Sequence, residues 1–198
     1  MPTLFQSSQW WAVPTLRDML EYNMKSLSLI LYLSLLFSSA AFGQTKSLYT
    51  GLATKDCKAS KAPVEDGYIG ICPGVAGYTL ELLEGDLRQT LNVIAPDKKK
   101  YELELWSKVS NGFSSLGAKA EWRMQGKTPV ALIMRFNASE NSEDSSKITS
   151  YLVVVKISKP DVCIVDILKL SKTQNMDARK LADTPAKRVC QQFCACVD

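Results

Sequence analysis

Between Gly77 and Pro96 the chain reads "GYTLELLEGDLRQTLNVIAP", two runs of strand character separated by Glu84-Gly85-Asp86. A Gly/Asp turn between such runs predicts a β-hairpin. In the second run Leu87, Leu91 and Val93 share one face, Gln89 being the exception, and Arg88, Thr90 and Asn92 share the other. That alternation predicts a sheet with one wet side. "YELELW" repeats it, with Tyr101, Leu103 and Leu105 directed inward and Glu102 and Glu104 outward. "PVALIMRF" and "SYLVVVKI" are apolar at odd and even positions alike, which predicts central strands covered on both faces.

Around these runs, "GYIGIC" (67–72) predicts a short strand ending at Pro73-Gly74, and "DVCIVDILKL" (161–170) a further one. Residues 44–63 read as a polar extended arm, "APDKKK" as a turn, "SNGFSSLGAKA" as a flexible Ser/Gly-rich connection and "NASENSEDSSK" as a polar loop. Thr173 to Cys190 has helical character, with Met176, Leu181 and Val189 available to dock on the sheet; Asp183-Thr184-Pro185 is a natural interruption. The resulting fold class is mainly β (α+β): one antiparallel β-sandwich or partly closed barrel of about seven or eight strands with a C-terminal helix. Hairpin spacing of this kind disfavours βαβ architecture.

The N-terminal region has a different pattern. Met24 and Lys25 precede an apolar run, Leu27 to Phe37, which is followed by small residues ending Ala41-Phe42-Gly43. A short cationic start, an apolar core and a small-x-small site define a secretory signal peptide, with cleavage expected before Gln44. The run is shorter than the ~20 residues a membrane span needs and is rich in serine. Residues 1–23 lack the charge of an export leader, and Pro2 and Pro14 interrupt any long helix there. They read as an upstream extension from a misassigned start, the alternative being a long leader. The expected organisation is therefore an extension (1–23), a signal peptide (24–43), one β-rich domain (44–190) and a Cys-containing tail (191–198). The expected location is secreted or periplasmic, with no stable membrane anchor once the signal is cleaved.

The 198 residues carry a net charge of +4, and the leader holds two charges of each sign, so its removal leaves that value unchanged. Scattered lysines do not make the concentrated basic face of a nucleic-acid binder. All six cysteines fall after Gly43, and an even count in an exported chain favours disulfides. Six cysteines allow 15 pairings. Cys57 and Cys72 flank a short loop and form a natural local pair, whereas Cys163 and Cys190 would staple the C-terminus to the sheet. Cys194 and Cys196 remain in the tail, where a soft-metal site is the alternative to oxidation.

The chain has no histidine. Ser-His-Asp and Cys-His catalysis and His-containing zinc sites are thereby excluded within it. Paired-carboxylate hydrolysis survives that loss, with Glu102 and Glu104 on one strand face and Asp161 and Asp166 bracketing another strand. No Ser-x-x-Lys, Gly-x-Ser-x-Gly or phosphate-cradling glycine loop is present. No catalytic residue, metal site or cofactor is assigned. The candidate recognition set is Trp106, Phe113, Trp122 and Arg123, aromatics with an arginine around the Ser/Gly-rich connection; filling of the core is the competing role for the tryptophans.

"YIGICPGVAGY", "LLEGDLRQTLNVIAP", "GFSSLGAKAEWR" and "SYLVVVKI" together resemble an uncharacterised group of small exported bacterial proteins, over Leu48 to about Ala182. The resemblance implies export and a single domain, and brings no activity with it. The function expected is a non-enzymatic domain binding an unknown protein or envelope polymer. The alternative is a small exported hydrolase acting through paired carboxylates on an envelope or glycan substrate.

Overall fold

A computed structural model describes residues 45–60 and 67–191. The stretches read as a signal peptide and as an extension before it, and Cys194 and Cys196, lie outside the described residues. Two five-stranded antiparallel sheets make up the fold. The first is ordered β1 (Thr45–Gly51), β7 (Phe113–Gln125), β8 (Thr128–Ser139), β9 (Ile148–Ile157) and β10 (Val162–Lys169). The second is ordered β2 (Lys58–Ala59), β3 (Gly67–Cys72), β4 (Thr79–Gly85), β5 (Arg88–Ile94) and β6 (Lys100–Glu102). One helical turn, α1 (Leu105–Lys108), follows β6, and helix α2 (Gln174–Ala182) follows β10. The fold is thus an antiparallel sandwich with a C-terminal helix; it is not a closed barrel.

Alternation places the core. Leu80, Leu82, Leu91 and Val93 of one sheet pack against Trp122, Met124, Leu132, Met134, Phe136, Val153 and Val155 of the other, all at most 3% exposed. The opposite faces of β8 and β9 present Ala131, Ile133, Leu152 and Val154, which pack with Val165 and with Ala178 and Ala182 of α2. The two strands expected to be covered on both sides therefore form the middle layer of a sheet–sheet–helix stack.

Among the described residues ten strands replace the seven or eight expected, for two reasons. The N-terminal arm, expected to be extended and tied down by Cys57, is so tied and also adds strands: β1 pairs with β7 from Thr45↔Gln125 to Gly51↔Lys119, and β2 pairs with β3. The Ser/Gly-rich connection is the first half of β7, paired from Phe113↔Ser139 to Leu116↔Phe136. Its own residues carry little strand propensity, so its neighbours impose the conformation. A register shift between Leu116 and Ala120 marks a bulge, where a Cβ on Gly117 would lie 2.8 Å from Arg135 Cβ.

The hairpin forms as expected, but its turn lies one residue later: Gly85 pairs with Arg88, leaving Asp86 and Leu87 as the corner, both at positive φ (51° and 57°). Leu87 is consequently 66% exposed instead of sharing the inner face. The wet side of β5 is not wet at Thr90 and Asn92, which are buried. Thr90 Oγ1 accepts the Leu105 N–H at 2.9 Å, and the Asn92 amide donates to Glu81 at 2.8 Å. Polar side chains tolerate burial there because they are paired. The "YELELW" alternation holds in burial, with Leu103 and Leu105 inside and Glu102 and Glu104 outside, but the strand itself stops at Glu102; Glu104 takes φ +49° and precedes α1.

Helix α2 ends at Ala182 and docks only partly as expected: Leu181 packs against the sheet. Met176 and Val189 are exposed (65% and 83%), while Gln174, Ala178 and Ala182 face the sheet. Small residues let the helix approach β8 and β9 closely, and Val189 lies beyond the helix altogether. Disulfides Cys57–Cys72 and Cys163–Cys190 are both formed. The second fixes the segment after α2 to β10, reinforced by Gln191 N–H donating to Ile164 O at 2.9 Å. Among the described residues no helix is long and apolar enough to cross a membrane.

Candidate functional site

The two sheets meet at the end of the sandwich that carries the β4–β5 hairpin, the start of β7 and the β8–β9 loop. The Ser114 N–H donates to Leu87 O at 3.0 Å, and the Leu116 N–H to Gln89 Oε1 at 2.7 Å. These bonds fix the hairpin against β7 and leave a row of hollows along the surface. One, of about 500 Å³, is lined by Gly85, Asp86, Arg88, Trp106 and Asn111. A second, of about 430 Å³, shares Arg88 and Asn111 with it and continues past Phe113 to Glu140, Asn141 and Ser142. A third, of about 580 Å³, shares those last three residues and ends at Lys147, Ile148 and Thr149. The row has one aromatic end and one acidic, serine-rich end.

Of the sequence-derived set, Trp106 and Phe113 are brought together at this groove, 38% and 47% exposed. Trp122 and Arg123 are not. Trp122 is fully buried between the sheets, with its indole N–H donated to Thr50 Oγ1 at 2.9 Å. Arg123 is the next residue on the same strand and therefore points to the opposite face. There its guanidinium holds Asp183 through two bonds of 2.7 and 2.8 Å. Both belong to the scaffold.

Arg88 takes the place Arg123 was expected to fill. It is ion-paired with Asp86, donates Nε–H to Asn111 O at 2.8 Å, and stands over the Phe113 ring, 5.7 Å from its centroid. Three contacts fix the guanidinium, and the adjacent carboxylate balances its charge. Trp106 and Asn111 are exposed residues, and neither side chain makes a hydrogen bond among the described residues. Sequence reasoning passed over Arg88 and Asn111 because alternation marked them as ordinary outward and loop positions. The signal that could have found them is the hairpin turn, which carries Arg88 to the same end as the connection before β7.

Further along the groove, Glu140 accepts the Tyr151 hydroxyl at 2.8 Å on both oxygens. Burial and this bond push the Tyr151 phenol up to about 12. Glu140 is drawn below the usual carboxylate range; partial burial opposes that shift, but bonds from Tyr151, Thr149 and Ser110 outweigh it. The carboxylates considered for hydrolysis lie elsewhere. Glu104 is ion-paired with Lys108 at 2.7 Å, Glu102 is exposed on β6, Asp161 lies in the β9–β10 turn, and Asp166 accepts the N–H of Ile167 at 2.8 Å. None of the four lines any of the three hollows.

Fold and groove together define a class: a disulfide-stapled antiparallel β-sandwich, helix-backed on one face, with a surface groove at one end. No protein family, curated protein or solved structure matches the chain.

Proposed function

We propose that this chain is an exported, non-enzymatic binding domain whose ligand seats in the groove at the hairpin end. The observation that carries this reading is the pairing of a half-open Trp106 with an unengaged Asn111 amide in a wall otherwise fixed by internal bonds. Pre-fixed walls lower the ordering cost of association. The scattering of the four carboxylates favours binding over paired-carboxylate hydrolysis. Two disulfides, the leader-like stretch from Met24 and the resemblance to small exported bacterial proteins support export.

The test uses the full chain immobilised beside its Trp106→Ala variant and exposed to envelope extracts. Retention of an envelope component by the wild type alone supports the reading; equal retention by both moves the ligand off the groove. N-terminal sequencing of the exported protein should return Gln44 first, and Met1 would overturn cleavage.

A further inference from the structure

Resting on that reading, we infer that the groove takes a neutral oligosaccharide. A pyranose ring presents an apolar C–H face and a rim of hydroxyls that both donate and accept. Recognition therefore calls for one flat apolar ring with planar hydrogen-bonding groups at its edges. The 500 Å³ hollow has this composition: the Trp106 indole, the Asn111 amide, the Asp86 carboxylate and the Arg88 guanidinium. Its volume lies in the range of small-ligand sites, about 300–1,000 Å³. The next hollow continues from the shared Arg88 and Asn111 to Asn141 and Ser142, which gives room for further sugar units along a chain.

Charge and rigidity narrow the ligand. Asp86 and Arg88 are ion-paired, so the first hollow has no net charge to attract an anion or a cation. The Asp86 side chain is nevertheless 77% exposed, leaving carboxylate lone pairs for hydroxyls. Arg88 is already held by Asp86, Asn111 O and the Phe113 ring, and little side-chain freedom remains to be lost on binding. A peptide fits less well. Strand addition needs an open edge, and here Ser114 N–H is bonded to Leu87 O across the two sheets.

The test incubates the full disulfide-bonded chain with an array of neutral glucose-, N-acetylglucosamine-, mannose- and galactose-based oligosaccharides. Uronic-acid and sulfated oligosaccharides and a displayed random-peptide library run in parallel. Positive ligands are titrated by isothermal calorimetry, which does not rely on Trp106 as a reporter, against wild type, Trp106→Ala, Trp106→Phe and Asn111→Ala, with melting curves for each protein. The expected result is binding of a neutral oligosaccharide, weakened about tenfold or more by Trp106→Ala and largely kept by Trp106→Phe. Asn111→Ala should weaken it several-fold, with melting unchanged. Binding only of acidic oligosaccharides or peptides, still lost in Trp106→Ala, overturns the neutral-sugar assignment and keeps the groove. Binding that Trp106→Ala and Asn111→Ala leave intact overturns the groove itself. Failure of every arrayed sugar to bind also overturns the sugar assignment.

Discussion

Arg123 ties three elements together from a position that is 8% exposed. Besides Asp183 after α2, it donates to Ser47 of β1 and reaches Glu121 at 3.4 Å. Glu121 in turn accepts from Arg179 of α2 at 2.7 and 3.1 Å. Burial acts to raise the Glu121 carboxyl; the bonds and charges of Arg179, Ser47 and Arg123 outweigh it and hold the group below its ordinary value. A carboxylate depressed in the folded state contributes stability above its unfolded pKa and loses it as pH falls through the folded one. Melting temperature should thus decline below about pH 4.5, and Glu121→Gln should flatten that decline in melts taken at pH 3–6. Removing Arg123 takes both side-chain bonds from Asp183 while Glu121 keeps Arg179, and Arg123→Ala should cost about 3 kcal/mol in urea denaturation. Tyr151 acts at the other end of the pH scale. A phenol raised to about 12 stabilises the fold fully below the ordinary value of 10 and loses that contribution as pH climbs towards 12. Tyr151→Phe should make the alkaline limb seen by circular dichroism shallower, leaving the part that comes from Tyr78, whose phenol burial also raises.

At the scale of elements, α2 is held by close approach, by ions and by a partly buried Leu181. Ala178 is fully buried among Ala131, Ile133 and Val154, whereas Met176 is 65% exposed. Ala178→Leu overfills a packed seam and should cost about 1–3 kcal/mol. Met176→Ala should stay within about 0.5 kcal/mol, as exposed sites do. Chemical denaturation of the pair distinguishes this docking from the one built on Met176. β7 is the second element whose role comes from its surroundings. It lies between β1 and β8, bulges at Gly117 and delivers Phe113 to the groove. Its partners make it a strand.

Two disulfides act on the whole molecule, one closing the loop between β3 and the segment after β1, the other tying the C-terminal segment to β10. Cys163 and Cys190 are 27 residues apart. Cross-links over loops of that order constrain the unfolded chain by about 3–4 kcal/mol. The double variant Cys163→Ser/Cys190→Ser should lose stability on that scale, and α2 amides should exchange faster than those of β8. Equal protection across both elements would show that the helix does not depend on the staple.

Periodicity determined most of the architecture. The hairpin around Gly85, the two-faced burial of β8 and β9, the existence of a C-terminal helix and the local Cys57–Cys72 pair follow from local pattern and spacing, whereas the choice of Cys163–Cys190 among the possible pairings rests on the fold. Side-chain alternation and loop length act over a few residues, so they are written in the chain. The tertiary structure decided what depends on partners distant in sequence. It placed Trp122 inside and Trp106 outside, turned Arg123 to the helix and Arg88 to the groove, and made a strand of a Ser/Gly-rich stretch. An aromatic next to an arginine reads the same whether it faces a core or water. Only the pairing of β7 with β1 and β8 fixes which face each side chain takes, and so which residues line the groove.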